Sequence, residues 1–153
     1  MKTFSKLVVI YLFFTNISYA DLIKPNANLK PFEVLMIQLN SLKNNNNPYK
    51  DAGIEQTWKF AHPINKTSTG PLERFKQMIY SDSYKILINH ENNETITLKE
   101  TNNKFVYKVY VLSKDKKKYY YVWQIEKVDR DGKLKDCWMT IGVSDPIFLG
   151  EII

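Results

Sequence analysis

Apolar residues in the first half of the chain recur with the spacing of helices, and those in the second half alternate as in strands. Phe32, Leu35, Met36, Leu39 and Leu42 form one stripe at the 3.6-residue period, and Pro31 sits where a first-turn proline is tolerated. The pattern predicts a helix over 30–43, ended by the run Asn44 to Asn47 and Pro48, which reads as a low-complexity loop without chemical promise. Asp51 can cap a second helix with Ile54, Trp58 and Ala61 on its inner face, stopping before Pro63. Ser68, Thr69 and Gly70 then offer cap groups. Pro71 opens a third helix whose buried stripe is Leu72, Phe75 and Ile79 and whose last turn falls near Ser81-Asp82.

From there the period drops to two. Tyr84, Ile86 and Ile88 alternate before Asn92-Asn93, and Ile96 and Leu98 before Asn102-Asn103. Phe105, Tyr107, Val109 and Val111 precede a lysine-rich turn, and Tyr119, Tyr121, Trp123 and Ile125 precede Asp131-Gly132. Cys137, Met139, Ile141 and Val143 close the set before Pro146. Five strands joined by short polar turns make an antiparallel meander. Three N-terminal helices followed by a meander predict an α+β fold, with the helices on one face of a curved sheet of about five strands. The apolar tail, residues 145–153, is expected to fold back onto the domain, and no internal repeat is visible.

The N-terminus changes the picture of compartment. Lys2 and Lys6, an apolar run from Leu7 to Phe14 and the ending Ser18-Tyr19-Ala20 have the order a secretory signal peptidase reads, so residues 1–20 are expected to be a signal peptide and Asp21 the mature start. The run is shorter than the ~20 residues needed to cross a bilayer. Residues 21–30 are then a short lead and 31–144 a single domain, exported to a periplasm or secreted and not membrane-spanning. Removing the leader lowers the formal charge from +6 to +4, because Lys2 and Lys6 leave without an acid. So small a balance gives no reason to expect a nucleic-acid partner. The cluster Lys114, Lys116, Lys117 and Lys118 around Asp115 reads as a solvated hairpin loop.

Candidate chemistry is sparse. The single Cys137 has nothing to pair with in the chain and alternates with Met139 onto an apolar face, which predicts a buried, inert thiol. His62 precedes a proline at a helix end, and His90 lies beside Glu91 and Asn92, where a solvated imidazole is the ordinary case. The acids fall in turns or on polar faces, no His, Cys, Asp and Glu set has metal-ligand spacing, and the glycines at 53, 70, 132, 142 and 150 form no phosphate-cradling loop. No catalytic residue, metal or cofactor is assigned. The triplets Asn65-Lys66-Thr67 and Asn93-Glu94-Thr95 could accept glycans in a eukaryote.

The segments Gly53-Ile54, Phe60-Ala61-His62-Pro63-Ile64-Asn65, Thr69-Gly70-Pro71-Leu72-Glu73-Arg74-Phe75 and Met78-Ile79 resemble the signature of an uncharacterised domain family of bacteria and plant plastids. Cys137-Trp138-Met139-Thr140, with Val143, resembles its closing strand, and His62 stands where that family has a small residue. The resemblance spans about residues 31 to 144. The family is similar to the nuclear-transport-factor-two-like (cystatin-like α+β roll) group, which implies a conical pocket between helices and a bent sheet and carries no assigned activity. Gly53, Phe60, Pro63, Asn65, Thr69, Gly70, Pro71, Arg74 and Phe75 read as architecture, with Arg74 expected to find an acid on the sheet. Trp58, Tyr84, Tyr107, Trp123 and Trp138 are the candidate pocket residues. The expected function is a non-enzymatic module for a small apolar ligand or a protein. The alternatives are an isomerase- or dehydratase-like enzyme in the cone and a homodimer through the open sheet face.

Overall fold

A computed structural model describes residues 21–152; the signal-peptide expectation lies outside them. Four helices, α1 (Pro31–Lys43), α2 (Ala52–Lys59), α3 (Pro63–Thr69) and α4 (Leu72–Ile79), precede a short 3-10 turn (Lys85–Leu87) and five strands. These are β1 (Asn92–Glu100), β2 (Lys104–Leu112), β3 (Lys117–Lys127), β4 (Trp138–Val143) and β5 (Ile147–Glu151). All strand pairs are antiparallel in the order β1-β2-β3-β4, with β5 also on β3. The class is α+β, with an open sheet.

Pro31 opens α1, where a missing amide costs nothing, and the Lys30 amide is satisfied by Glu33 Oε2 at 2.7 Å. The helix buries Val34, Leu35, Gln38, Leu39 and Leu42, a stripe turned from the expected one, so that Phe32 lies half exposed over Tyr107. The asparagine run proves structural. Asn45 is fully buried, its Oδ1 accepts the Ile54 amide at 3.0 Å, and its Nδ2 donates to Asp51 Oδ1 at 3.1 Å. Its carbonyl accepts the Gly53 amide at 2.9 Å, drawing α2 against α1. A Cβ on Gly53 would stand 2.0 Å from the Ser41 carbonyl oxygen, so only glycine fits this crossing.

The second expected helix, drawn to just before Pro63, ends at Lys59 instead. After Lys59 the chain leaves helical geometry because its backbone has a better partner. The Thr140 amide donates to Phe60 O and the His62 amide to Thr140 O, both at 2.8 Å, which caps the β4 edge with a short parallel bridge. Pro63 therefore starts α3 instead of merely ending α2, and residues 63–69 form a helix that the sequence pattern does not predict.

The expected strand at Tyr84, Ile86 and Ile88 is also corrected. The Asn89 amide bonds Leu42 O, and the hydroxyls of Tyr84 and Tyr121 reach Val143 O and Ser83 O. The segment is thus fastened to α1 and across the sheet, with no strand beside it. The fifth strand is the apolar tail. β4 and β5 follow one edge of β3, interrupted at Ser144, whose amide donates to Val122 O and whose Oγ accepts the Val122 amide.

One face of the sheet carries the core: Tyr107, Val109, Val111, Tyr121, Trp123 and Ile125 pack against Leu35, Leu39, Leu42, Ile54 and Phe75. A bulge at Gln124/Ile125 shifts the parity of β4, so Thr140 and Val143 share the helix-side face. Cys137 and Met139 instead join Val128 and Leu134 in a second small cluster. The thiol is buried, as the alternation predicts, and burial and the neighbouring Asp136 push its pKa up.

Candidate functional site

Between α1 to α4 and the β3-β4 edge lies a cavity of about 130 Å³. Leu42, Ala61, Phe75, Met78, Ile79, Leu87, Trp123 and Val143 supply apolar walls, and Gln38, Thr57, Asn65, Thr69, Tyr84 and Thr140 supply polar atoms. The cavity exists because α2 ends early. Residues 60–62 hug β4, and α3 and α4 span the gap that one longer helix would have filled.

Its polar atoms form a chain. The Trp123 indole Nε1–H donates to Thr140 Oγ1 at 2.9 Å, and the Thr140 hydroxyl donates to Gln38 Oε1 at 2.5 Å. Gln38 Nε2 donates to Thr57 O at 3.1 Å, and the Thr57 hydroxyl to Gly53 O at 2.8 Å. Asn65 Nδ2 reaches Thr140 O at 3.2 Å, and the Thr69 hydroxyl reaches Asn65 O at 2.9 Å. Among the described residues no buried side-chain nitrogen or oxygen lacks a partner. A satisfied network of this kind holds its members in one geometry.

Tyr84 is the one titratable residue of the lining among the described residues, and burial, with the charge of Asp145, raises its pKa, so it is a neutral phenol at physiological pH. Neither histidine lines the cavity. His62 is buried behind it and caps α3, its Nδ1 accepting the Ile64 amide at 3.2 Å, which assigns the proton to Nε2. Burial lowers its pKa against the opposing pull of Glu126 and Asp129. His90 is buried rather than solvated as expected. Its Nδ1 lies 2.8 Å from Leu87 O and its Nε2 2.7 Å from Asn93 Nδ2, and burial lowers its pKa as well.

Of the five aromatic candidates, the structure brings Trp123 and Tyr84 to the cavity. Trp58 stands behind its wall, 4.9 Å from Phe75 between ring centroids and beneath the Lys66 ammonium. Tyr107 and Trp138 are absent from the lining and cluster with Phe105 instead. Burial, with Glu100 nearby, pushes the Tyr107 pKa up to about 12. The signature residues divide similarly. Asn65, Thr69 and Phe75 line the cavity, Phe60 is buried, Pro63 starts α3 and Pro71 sits at the N-cap of α4. A Cβ on Gly70 would lie 2.8 Å from the Trp58 ring, so that glycine makes room for the indole. Arg74 is exposed and, among the described residues, has no hydrogen bond or ion pair, contrary to the expected acidic partner on the sheet.

Gln38, Thr57 and Thr140 are the residues that sequence reasoning missed. The only trace of Gln38 was a polar residue between apolar ones on a helix stripe. Both glycosylation triplets place their asparagine in the fold: Asn65 Nδ2 is bonded to β4 and Asn93 Nδ2 to His90. Among the described residues, no group of His, Cys, Asp and Glu is arranged to hold a metal ion, and no helix is long and apolar enough to cross a membrane. Comparison of the chain with family models, with curated proteins and with solved structures finds no match.

Proposed function

We propose that this chain is an exported, non-enzymatic binding module that holds a small, uncharged, mostly apolar molecule in the cavity floored by Trp123 and Thr140. The observation that carries the reading is the lining itself: apolar walls, a self-satisfied chain of neutral polar groups, and no carboxylate, imidazole, amine or thiol to move a proton or attack a substrate. That same lining argues against the isomerase- or dehydratase-like alternative. A dry cavity of roughly 150 Å³ accepts benzene, so about 130 Å³ suits a single ring or a branched chain of similar bulk. Kinship with the cystatin-like group is part of the proposal and rests on the Thr69 to Phe75 motif. Export rests on the order of residues 1–20, and N-terminal sequencing of secreted material should begin at Asp21.

Benzene, toluene and indole titrated into the protein should shift the Trp123 indole N–H and the Thr140 and Val143 amide resonances. Val143→Phe, which puts a larger side chain into the lining, should abolish the response and leave the fold intact. Unmoved signals at the solubility limit of all three probes would remove the ligand reading.

A homodimer through the sheet is a second reading, favoured by apolar residues left on the uncovered face and edges. Ile96 is 51% exposed, Ile147 48% and Phe148 54%. Sedimentation should then show a dimer that Ile96→Asp dissociates, and a monomer throughout the micromolar range would exclude it.

A further inference from the structure

Beyond that cavity, and sharing none of its lining residues, an open cleft of about 320 Å³ lies between the end of α1, the segment before β1 and the β2-β3 turn. Its walls are Lys43, three asparagines of the 44–47 run, Asn89, His90 and Lys114, with no carboxylate among them. The neighbouring cations are engaged: Lys116 holds Glu91 at 2.5 Å, Lys117 holds Asp115 at 2.9 Å, and the Lys118 ammonium lies 5.2 Å from the Tyr110 ring centre. Among the described residues, Lys43 and Lys114 have no such partner. They come from segments far apart in sequence and meet on one concavity.

The asparagine walls are held from behind. Asn89 Oδ1 accepts the Asn45 amide at 3.2 Å and Asn46 Oδ1 accepts the Asp51 amide at 3.1 Å. Among the described residues Asn46 and Asn89 keep their NH₂ groups unspent, whereas Asn44 Nδ2 donates to Asn40 O at 3.0 Å. Both ring nitrogens of His90 are engaged, so the imidazole is wall and not ligand. Two ammonium groups flanked by amide donors make a positive, donor-rich concavity with no carboxylate in its lining, and the adjoining Glu91 and Asp115 are each paired with a lysine of their own.

We propose that this cleft binds an oxyanion, a phosphate, sulfate or carboxylate group, either free or carried on a sugar. The lysines neutralise the charge and the asparagine amides bond its oxygens or adjoining hydroxyls.

The test is an amide NMR titration of the full chain at low ionic strength and constant pH with inorganic phosphate, glucose 6-phosphate and glucose. Phosphate and glucose 6-phosphate should shift the amides of residues 43–47, 89–90 and 114 saturably, with a Kd of about 1 mM, and glucose alone should not. Equal affinity for the two anions identifies a free-anion site; glucose 6-phosphate tighter by about tenfold, or ~1.4 kcal/mol, identifies a sugar-borne one. Lys43→Gln with Lys114→Gln should abolish binding at unchanged melting temperature, whereas Lys43→Arg with Lys114→Arg should retain it. Shifts scattered over every lysine-bearing surface, an unsaturable response, or binding that survives the double glutamine variant would overturn the proposal.

Discussion

The two faces of the sheet are built from alternate residues of the same strands, yet they meet different environments. Along β3, Tyr121, Trp123 and Ile125 are buried against the helices, while Tyr120, Val122 and Gln124, which alternate with them, are partly exposed. Along β2 the same contrast separates Tyr107, Val109 and Val111 from Val106, Lys108 and Tyr110. Residue type does not make the difference, because both faces carry tyrosine and valine. The helices do, by covering one face.

The uncovered face keeps its aromatics wet with cations. Tyr110 and Tyr120 are cross-strand neighbours, and Lys108 lies 4.4 Å from the Tyr120 ring centre and 5.7 Å from that of Tyr110. On the covered face the polar ends of Trp123 and Tyr121 find Thr140 and the Ser83 carbonyl instead. An aromatic ring is thus core or surface according to which partner its polar edge can reach.

The sharpest break of this contrast is a pair of truncations three positions apart. Trp123→Ala should cost about 3 to 5 kcal/mol and erase the cavity floor, whereas Tyr120→Ala should cost below about 1 kcal/mol. Equal losses in chemical denaturation would mean that the two faces are equally packed. Thr140→Val keeps the shape and removes the hydroxyl, stranding the Trp123 indole N–H and Gln38 Oε1. We expect a loss of about 1 to 3 kcal/mol by denaturation, together with a shifted indole N–H resonance.

A smaller effect should follow pH, through the two buried histidines. Both have folded pKa values lowered by burial, so the unfolded chain takes up their protons first. Their contribution is complete above the unfolded value of about 6.5, falls as pH drops from there toward the lowered folded values, and levels off below them. Denaturant midpoints should hold between pH 7 and 8 and decline from about pH 6.5 to 5, and His62→Asn with His90→Gln should flatten that decline. The smallest effect belongs to Arg74. With no partner among the described residues to lose, Arg74→Lys should change the stability measured by chemical denaturation by less than about 0.5 kcal/mol, and a larger loss would reveal a contact made only in solution.

The helical stripe of α1, the alternation of β2 and β3 and the switch between the two periods place helices before a meander from residue order alone, because a face that must be buried imposes its period on the local sequence. Trp123 and Tyr84 were legible as site candidates for the same reason, as aromatics on apolar positions. The rest needed contacts between distant residues. Three alternating apolar residues at 84–88 are compatible with a strand or a turn, and bonds to Leu42 and Val143 decide for the turn. The tail becomes a strand because β3 has an open edge beyond β4. Asn45 is a keystone and not filler because Ile54, Asp51 and Gly53 converge on it. The polar chain of the cavity links Thr140 to Gln38 across 102 positions, and a hydrogen bond leaves no periodic mark on sequences so far apart. Local order carries the period of a buried face; only the folded chain decides which atoms that face meets.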